Sequence, residues 1–375
     1  MPIFRASSEI YFGSGAPEEL LARIGGRYSS CVAVIDSSLA GSSGLEFVEE
    51  MLSESVGACR YHFRRSGKEP TYQELDELSE VFRSTSPDLV VGIGGGSVMD
   101  LAKGLSVTLS GPPGAAREYR GMNHVHHVNL DCLLVPSTAG SGSEMTYTVA
   151  LIDETTRVKL GINGDNVFPR YALLIPDFLL TAPNNVVIGS ALDVLVHSSE
   201  ALSSTSRNQF ASPLAAAAIS SVIEHLPAFC AARQRGLVPK LEAEALLLAA
   251  AQAGSAVMNS SGGMASAISY PVGTLFNVPH GFAGGIPLPY VMKIQEQEGF
   301  SLAPTLRLDS PFSDILFELY SRLGVPGSFA SWGVSASDRD LVHSRVLSER
   351  QVGLLSDPVG ADEEALKTVL HQVMP

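Results

Sequence analysis

The sequence predicts two domains, an α/β domain with a doubly wound parallel sheet over residues 1–183 and an all-α domain over residues 184–375. Three observations carry this expectation. Strand-length apolar runs alternate with helix-patterned segments through the first half, as in parallel strands joined by helical crossovers. After Pro183 helical stretches dominate, several of them Ala-rich, and strand patterns nearly vanish. Between them, Leu89 to Lys103 reads as an apolar strand, three consecutive glycines and a helix start.

The elements follow in order. Ile3 to Phe12 has mixed alternation and suits an edge strand or hairpin arm. Pro17 starts a helix with Leu20, Leu21 and Ile24 on one face. Cys31 to Ile35 is a buried strand ending at Asp36. Leu45, Val48, Met51 and Leu52 mark a second helix; Leu75, Leu78, Val81 and Phe82 mark a third, closed by Pro87. Further strands are expected at Cys132 to Val135 and Ala172 to Ile175. In the second domain helices are expected at Leu214 to Phe229, Leu241 to Met258, Ile315 to Leu323 and Ala365 to Val373.

Composition narrows the class. Hydrophobic residues make up 45% of the 375 and charged ones 17%, which suits large buried surfaces. A net charge of −14 argues against nucleic acid and anionic membrane as partners, since both reward basic surfaces. Cys31, Cys59, Cys132 and Cys230 include no Cys-x-x-Cys pair and read as reduced, mostly buried thiols of a cytoplasmic protein. The start of the chain lacks a signal-peptide pattern. The most apolar stretch, Ala245 to Met258, is short for a membrane span.

The chemistry concentrates in a few places. At Gly94, Gly95 and Gly96 the absent side chains let phosphates approach the backbone, where the first helical amides point at them. Ser97 is placed to cap the helix or to contact a phosphate oxygen. Asp36 ends an early parallel strand, where dinucleotide folds bind the adenosine ribose; a turn-capping role is equally compatible. If it binds ribose, its charge repels a 2′-phosphate and NAD(H) is preferred over NADP(H). Pro136 to Glu144 is a small, hydroxyl-rich loop directly after a strand, with Thr138 and Ser143 as donors to a ligand.

Asp193 and His197 are four apart and share one side of a helix, and Pro279-His280-Gly281 adds a second histidine beside a helix breaker. Two histidines and one carboxylate with open positions suit divalent iron or zinc; a local Asp/His hydrogen bond is the plainer alternative. His124, His126 and His127 read as solvated loop residues.

In this order and spacing the motifs resemble the iron-containing alcohol dehydrogenase family, over nearly the whole chain. Gly94-Gly95-Gly96-Ser97 with Asp100 and Lys103 resembles its diphosphate loop, and Pro136 to Glu144 its second cofactor loop. Asp193, His197, Glu200-Ala201 and Pro279-His280-Gly281 resemble its metal-binding region, and Lys159 a lysine beside the cofactor. The resemblance implies a Rossmann-like domain followed by a helical one, with the site in the cleft. It also implies hydride transfer between nicotinamide and a small alcohol, aldehyde or ketone whose oxygen is polarised by metal. Of the family's Asp/His/His/His ligands, Asp193, His197 and His280 carry over.

The remaining ligand, fourteen residues before His280, is Ser266 here. A neutral hydroxyl is a poor iron or zinc ligand, so a weak or absent metal is expected. A metal-free site, as in related maleylacetate reductases, would hand the oxyanion role to His197, His280 and Tyr270, the last one helical turn beyond Ser266. The Ala-Ile-Ser-Tyr-Pro stretch resembles phosphonoacetaldehyde reductases, which points to an anionic substrate, with Arg157, Lys159 and Arg170 as candidate cations that are equally compatible with cofactor contacts or surface charges. The leading expectation is a nicotinamide-dependent reductase of a small carbonyl compound, as a homo-oligomer, a dimer. Behind it stand a metal-independent relative with dehydration or lyase chemistry and a non-catalytic cofactor-binding protein. The characteristic loop of the related dehydroquinate synthases is not found.

Overall fold

The computed structural model describes residues 3–65, 67–349, 351–360 and 362–375. The chain divides into two compact units, 6–182 and 183–375, the second joined by residues 3–5.

The first unit is built on a six-stranded sheet. Its strands are β1 (Glu9–Tyr11), β2 (Cys31–Asp36), β3 (Cys59–Arg64), β4 (Leu89–Gly94), β6 (Asp131–Pro136) and β9 (Tyr171–Leu173), in the order β1-β9-β6-β4-β2-β3. Every pairing in it is parallel. Side chains alternate between two faces, and both are covered. On one, Cys31, Ala33, Ile35, Val91 and Val135 pack with α1 (Ala16–Ile24), α2 (Ser43–Ser55) and α5 (Pro176–Thr181). On the other, Val32, Val34, Val90 and Leu134 pack with α3 (Tyr72–Arg83) and α4 (Gly96–Ser110). The sequence-based strands and helices are present here, with Ile3 to Phe12 reduced to the short edge strand β1.

Three features were not legible. The edge strand β3 interleaves Arg60, Tyr61, His62 and Phe63, because an edge needs no continuous apolar run. A second sheet, β5 (Gly121–Met122), β8 (Val158–Asn163) and β7 (Thr148–Asp153), lies outside the parallel one, with β7 and β8 antiparallel. Finally, two of the four cysteines are not thiols. Cys31 and Cys59 are register partners on β2 and β3, 4.6 Å apart at Cα, and form a disulfide. A spacing of 28 residues in sequence gave no sign that the parallel crossover would bring them side by side. Cys132 and Cys230 are buried free thiols, as expected.

The second unit is helical among its described residues. It comprises α6 (Asn184–Ser203), α7 (Ser212–Gln234), α8 (Lys240–Met258), α9 (Met264–Phe276), α10 (His280–Gly285), α11 (Leu288–Gln297), α12 (Ala303–Leu306), α13 (Phe312–Leu323), α14 (Arg339–Glu349), α15 (Gln351–Ser356) and α16 (Glu363–Val373). α6, α7 and α8 pack on one another. These three helices are long and apolar enough to cross a membrane by length and composition. For α8 this corrects the sequence-based length, since Lys240 to Glu244 add a polar first turn to the apolar stretch. In α6, 78% of the most apolar window is buried within the fold, so its apolarity is largely used in packing.

Candidate active site

In the α/β unit, chain order sets where a ligand belongs. From β2 the chain moves one way to β3, then returns to β4 and continues through β6 to β9, so β2 and β4 flank the topological switch point. Ligands of open parallel sheets bind outside the carboxyl ends of the strands at such a point. Asp36 ends β2, Gly94 ends β4, and Gly94 is in register with Pro136 at the end of β6. Three sequence-selected segments thus meet at one edge.

The glycine turn is packed against the second loop. Gly95 caps α4, and Gly96 and Ser97 open it; their amides have no backbone acceptor among the described residues. A β-carbon on Gly96 would lie 2.8 Å from Ser141 Oγ, and one on Gly95 3.3 Å from Thr138 Oγ1. Gly94, at the end of β4, is required by the helix that follows, since its β-carbon would meet Val98 at 2.8 Å. The cradle is therefore shaped by loop contact as well as open to a ligand. Asp36 accepts from the Ser38 amide (2.9 Å) and hydroxyl (2.7 Å), so its turn-capping role is realised.

Other selected residues have structural partners. Asp100 accepts from Ser143 Oγ at 2.6 Å and the Ala150 amide at 2.9 Å, and pairs with Lys103 at 3.2 Å. Asp100 and Ser143 thus tie α4 to the second loop. Lys159 sits on β8 and pairs with Glu69 at 2.8 Å. Arg157 lies in the β7–β8 turn at φ 58°. Arg170 precedes β9 and reaches Asp131, the first residue of β6, and Tyr171 Oη. It therefore lies at the amino ends of the strands, opposite the glycine turn, and is not a cofactor contact there.

In the helical unit, Asp193 and His197 share one face of α6, with His197 Nε2 3.6 Å from Asp193 Oδ1. His280 opens α10, and its Nε2 is 3.8 Å from the same oxygen. The Pro-His-Gly pattern has a packing cause: a β-carbon on Gly281 would overlap the Gly189 carbonyl of α6. Glycine lets α10 rest directly on α6 and brings His280 onto Asp193. One donor atom from each of Asp193, His197 and His280 lies within 4.8 Å of the others. Tyr270 on α9 meets the His280 ring edge-on, 5.7 Å between centroids.

These donors fit a divalent transition metal: one carboxylate and two imidazoles converge from two helices. Ser266 does not join them. Its hydroxyl donates to Glu200 Oε2 at 2.5 Å and its amide to Oε1 at 2.8 Å. His197 Nδ1 is buried without a hydrogen-bond partner, whereas metal-bound histidines usually donate from the second nitrogen.

Three buried acids bear on these segments, two of them within the sequence motifs and the third outside any motif. Glu200 is fully buried; burial pushes its carboxyl up to about 7 against the lowering donors at Ser266 and Gly263. Asp357, also raised chiefly by burial, accepts from the Met264 and Val359 amides and from Gln295 Nε2. Together they cap α9. Glu144, at the end of the second loop, is equally buried and pushed up to about 7, yet neither oxygen has a hydrogen-bond partner on another residue. Ser-Asp-Pro around Asp357 carries no sequence signal; the apolar surroundings of Glu200 in α6 do.

A parallel sheet with a glycine turn at its switch point, followed by helices presenting an Asp/His/His set, defines a two-domain oxidoreductase architecture. The chain belongs to the iron-containing alcohol dehydrogenase family. Residues 7–176 match the model described as iron-containing alcohol dehydrogenase, and residues 187–374 the C-terminal model of the same family. It is similar to the NAD-dependent methanol dehydrogenase of Bacillus methanolicus, 26% identical over 88% of this chain and 89% of that protein. Sulfoacetaldehyde reductase of Bilophila wadsworthia is 24% identical, covering 97% of this chain and 96% of the relative. Among solved structures, sulfoacetaldehyde reductase from Bifidobacterium kashiwanohense shares the fold, with TM-score 0.86, 22% identity and coverage of 99% and 98%. The protein is an alcohol-dehydrogenase-like oxidoreductase.

Proposed function

We propose that this protein reduces a small aldehyde bearing an anionic group to its alcohol, with NADH as hydride donor. The observation that carries the reading is the convergence of Asp193, His197 and His280 within 4.8 Å on two helices. Asp193, His197 and His280 would hold a divalent iron or zinc, which would supply Lewis-acid polarisation of the carbonyl oxygen. Tyr270, against His280, is assigned to donate the proton that the alcohol oxygen gains. Gly95, Gly96 and Ser97 receive the diphosphate on the amides of α4, Thr138 lies against them, and Asp36 receives the adenosine ribose. The anionic substrate class is supported by the Bilophila relative, named for sulfoacetaldehyde. NADH oxidation across a panel of small aldehydes, with and without sulfonate or phosphonate groups, tests it; turnover of none of them would refute it. Equal use of NADPH would refute the assignment of Asp36. We place the enzyme in the cytoplasm as a homodimer, which sedimentation of the purified protein checks for the assembly.

A second reading is favoured by the commitment of Ser266 to Glu200. With three donors in place of four, His197, His280 and Tyr270 would act without metal, on the same hydride transfer or on a dehydration. Elemental analysis of protein purified without added metal, paired with product analysis, separates the two readings.

A further inference from the structure

Glu144 is a buried ionisable group of the α/β unit that the proposed chemistry leaves without a task. Its carboxyl oxygens are enclosed and have no donor on any other residue. Lys103, whose charge acts on it, has its ammonium engaged elsewhere. Nζ donates to Ser143 O, Thr146 Oγ1 and Thr148 O, and pairs with Asp100 at 3.2 Å. An ammonium has three protons, so these acceptors exhaust it.

Among the described residues, the elements that pack most on the Glu144 turn offer no other cation. The short turn Ser143–Met145 packs against α4, β6 and β9. α4 brings Asp100 and Lys103. The titratable residues of β6 and β9 are Asp131, Cys132 and Tyr171. Asp131 and Tyr171 are bound to Tyr28 and Arg170, and burial pushes the Cys132 thiol up to about 12. With Asp100 and Lys103 already balancing, an ionised Glu144 would leave one uncompensated negative charge. An unpaired carboxyl so enclosed takes up a proton instead.

This charge would lie in the segment that packs on the glycine turn through Thr138 and Ser141. We propose that Glu144 is the proton-carrying residue of the dinucleotide site: as a neutral acid it keeps the loops free of net negative charge, and its ionisation weakens binding of the diphosphate. The inference rests on the reading that the glycine turn takes the diphosphate.

The test is calorimetric titration of the full chain with ADP-ribose, which has the diphosphate without the nicotinamide charge. Affinity is expected to hold below about pH 7 and to fall above it, approaching about tenfold per pH unit. Binding above that point should take up protons, read from the heats in two buffers of different ionisation enthalpy. Glu144→Gln should keep the low-pH affinity throughout and abolish the uptake. A pH-independent affinity of the unmodified protein, or the same slope in Glu144→Gln, overturns the inference and leaves the proposed function standing. Should the variant not fold, absence of proton uptake by the unmodified protein overturns it. No binding of ADP-ribose at any pH overturns the diphosphate reading and this inference with it.

Discussion

Among the described residues each unit of this protein buries one glutamate, and the two are served in opposite ways. Glu200, on α6, accepts from the Ser266 hydroxyl and amide and from the Gly263 amide, at the start of α9. Glu144, in the second loop of the α/β unit, accepts from no other residue. Burial pushes both carboxyls up to about 7, so a similar displacement arises from different balances. At Glu200 a large desolvation cost is opposed by donors; at Glu144 it is opposed only by its own amide and the charge of Lys103. The contrast separates a structural acid from one free to change its proton. Removing Glu200 strands donors, whereas neutralising Glu144 strands none.

The sharpest way to break the comparison is to delete the better-served acid. Glu200→Ala is expected to destabilise the protein by about 3 kcal/mol or more in urea denaturation, because donors at the start of α9 lose their acceptor. A cost below about 1 kcal/mol would mean that the Ser266 network contributes little.

The next effect is pH dependence. Both folded-state values lie above the ordinary glutamate value of 4.5, so the folded state holds these protons more tightly than the unfolded chain. Their contribution is therefore fullest below 4.5 and is lost as pH rises toward about 7, each group giving a slope of up to about 1.4 kcal/mol per pH unit. In Glu144→Gln that component should disappear from melting temperatures measured across this window. An unchanged pH profile would place the ionisation elsewhere.

A smaller effect is expected at Ser266. Ser266→Ala removes one hydroxyl donor from Glu200 and should cost about 1–2 kcal/mol, while cobalt(II) affinity stays unchanged because this hydroxyl is not a ligand. A marked loss of cobalt affinity would return Ser266 to the metal shell. The smallest change concerns Glu144→Gln near pH 6, where acid and amide are both neutral and stability should differ by less than about 1 kcal/mol. A large loss there would show that Glu144 has partners in solution.

Much was legible in the sequence, for physical reasons. β2, β4 and β6 are buried on both faces and so read as continuous apolar runs. The three glycines advertise a close backbone approach, and Asp193 and His197 sit at a spacing that any helix turns into a shared face. Motif order further identified the family, which single motifs would not have done. β3 and the β5–β8–β7 sheet were missed because edge and half-exposed strands need no such run.

What the sequence by itself determined was local: which segments are helix or strand, where the chain turns, and which side chains carry suitable chemistry. Only the tertiary structure decided how those side chains are spent. It paired Cys31 with Cys59 across two strands, gave Asp100 and Ser143 to each other, sent Arg170 to the wrong end of the sheet, and turned Ser266 toward Glu200. It brought His280 to Asp193 because Gly189 and Gly281 let two helices touch. The physical reason is common to all of these. Hydrogen bonds, ion pairs and close packing are satisfied between residues far apart in sequence, and composition and spacing do not reveal the distance or direction between them.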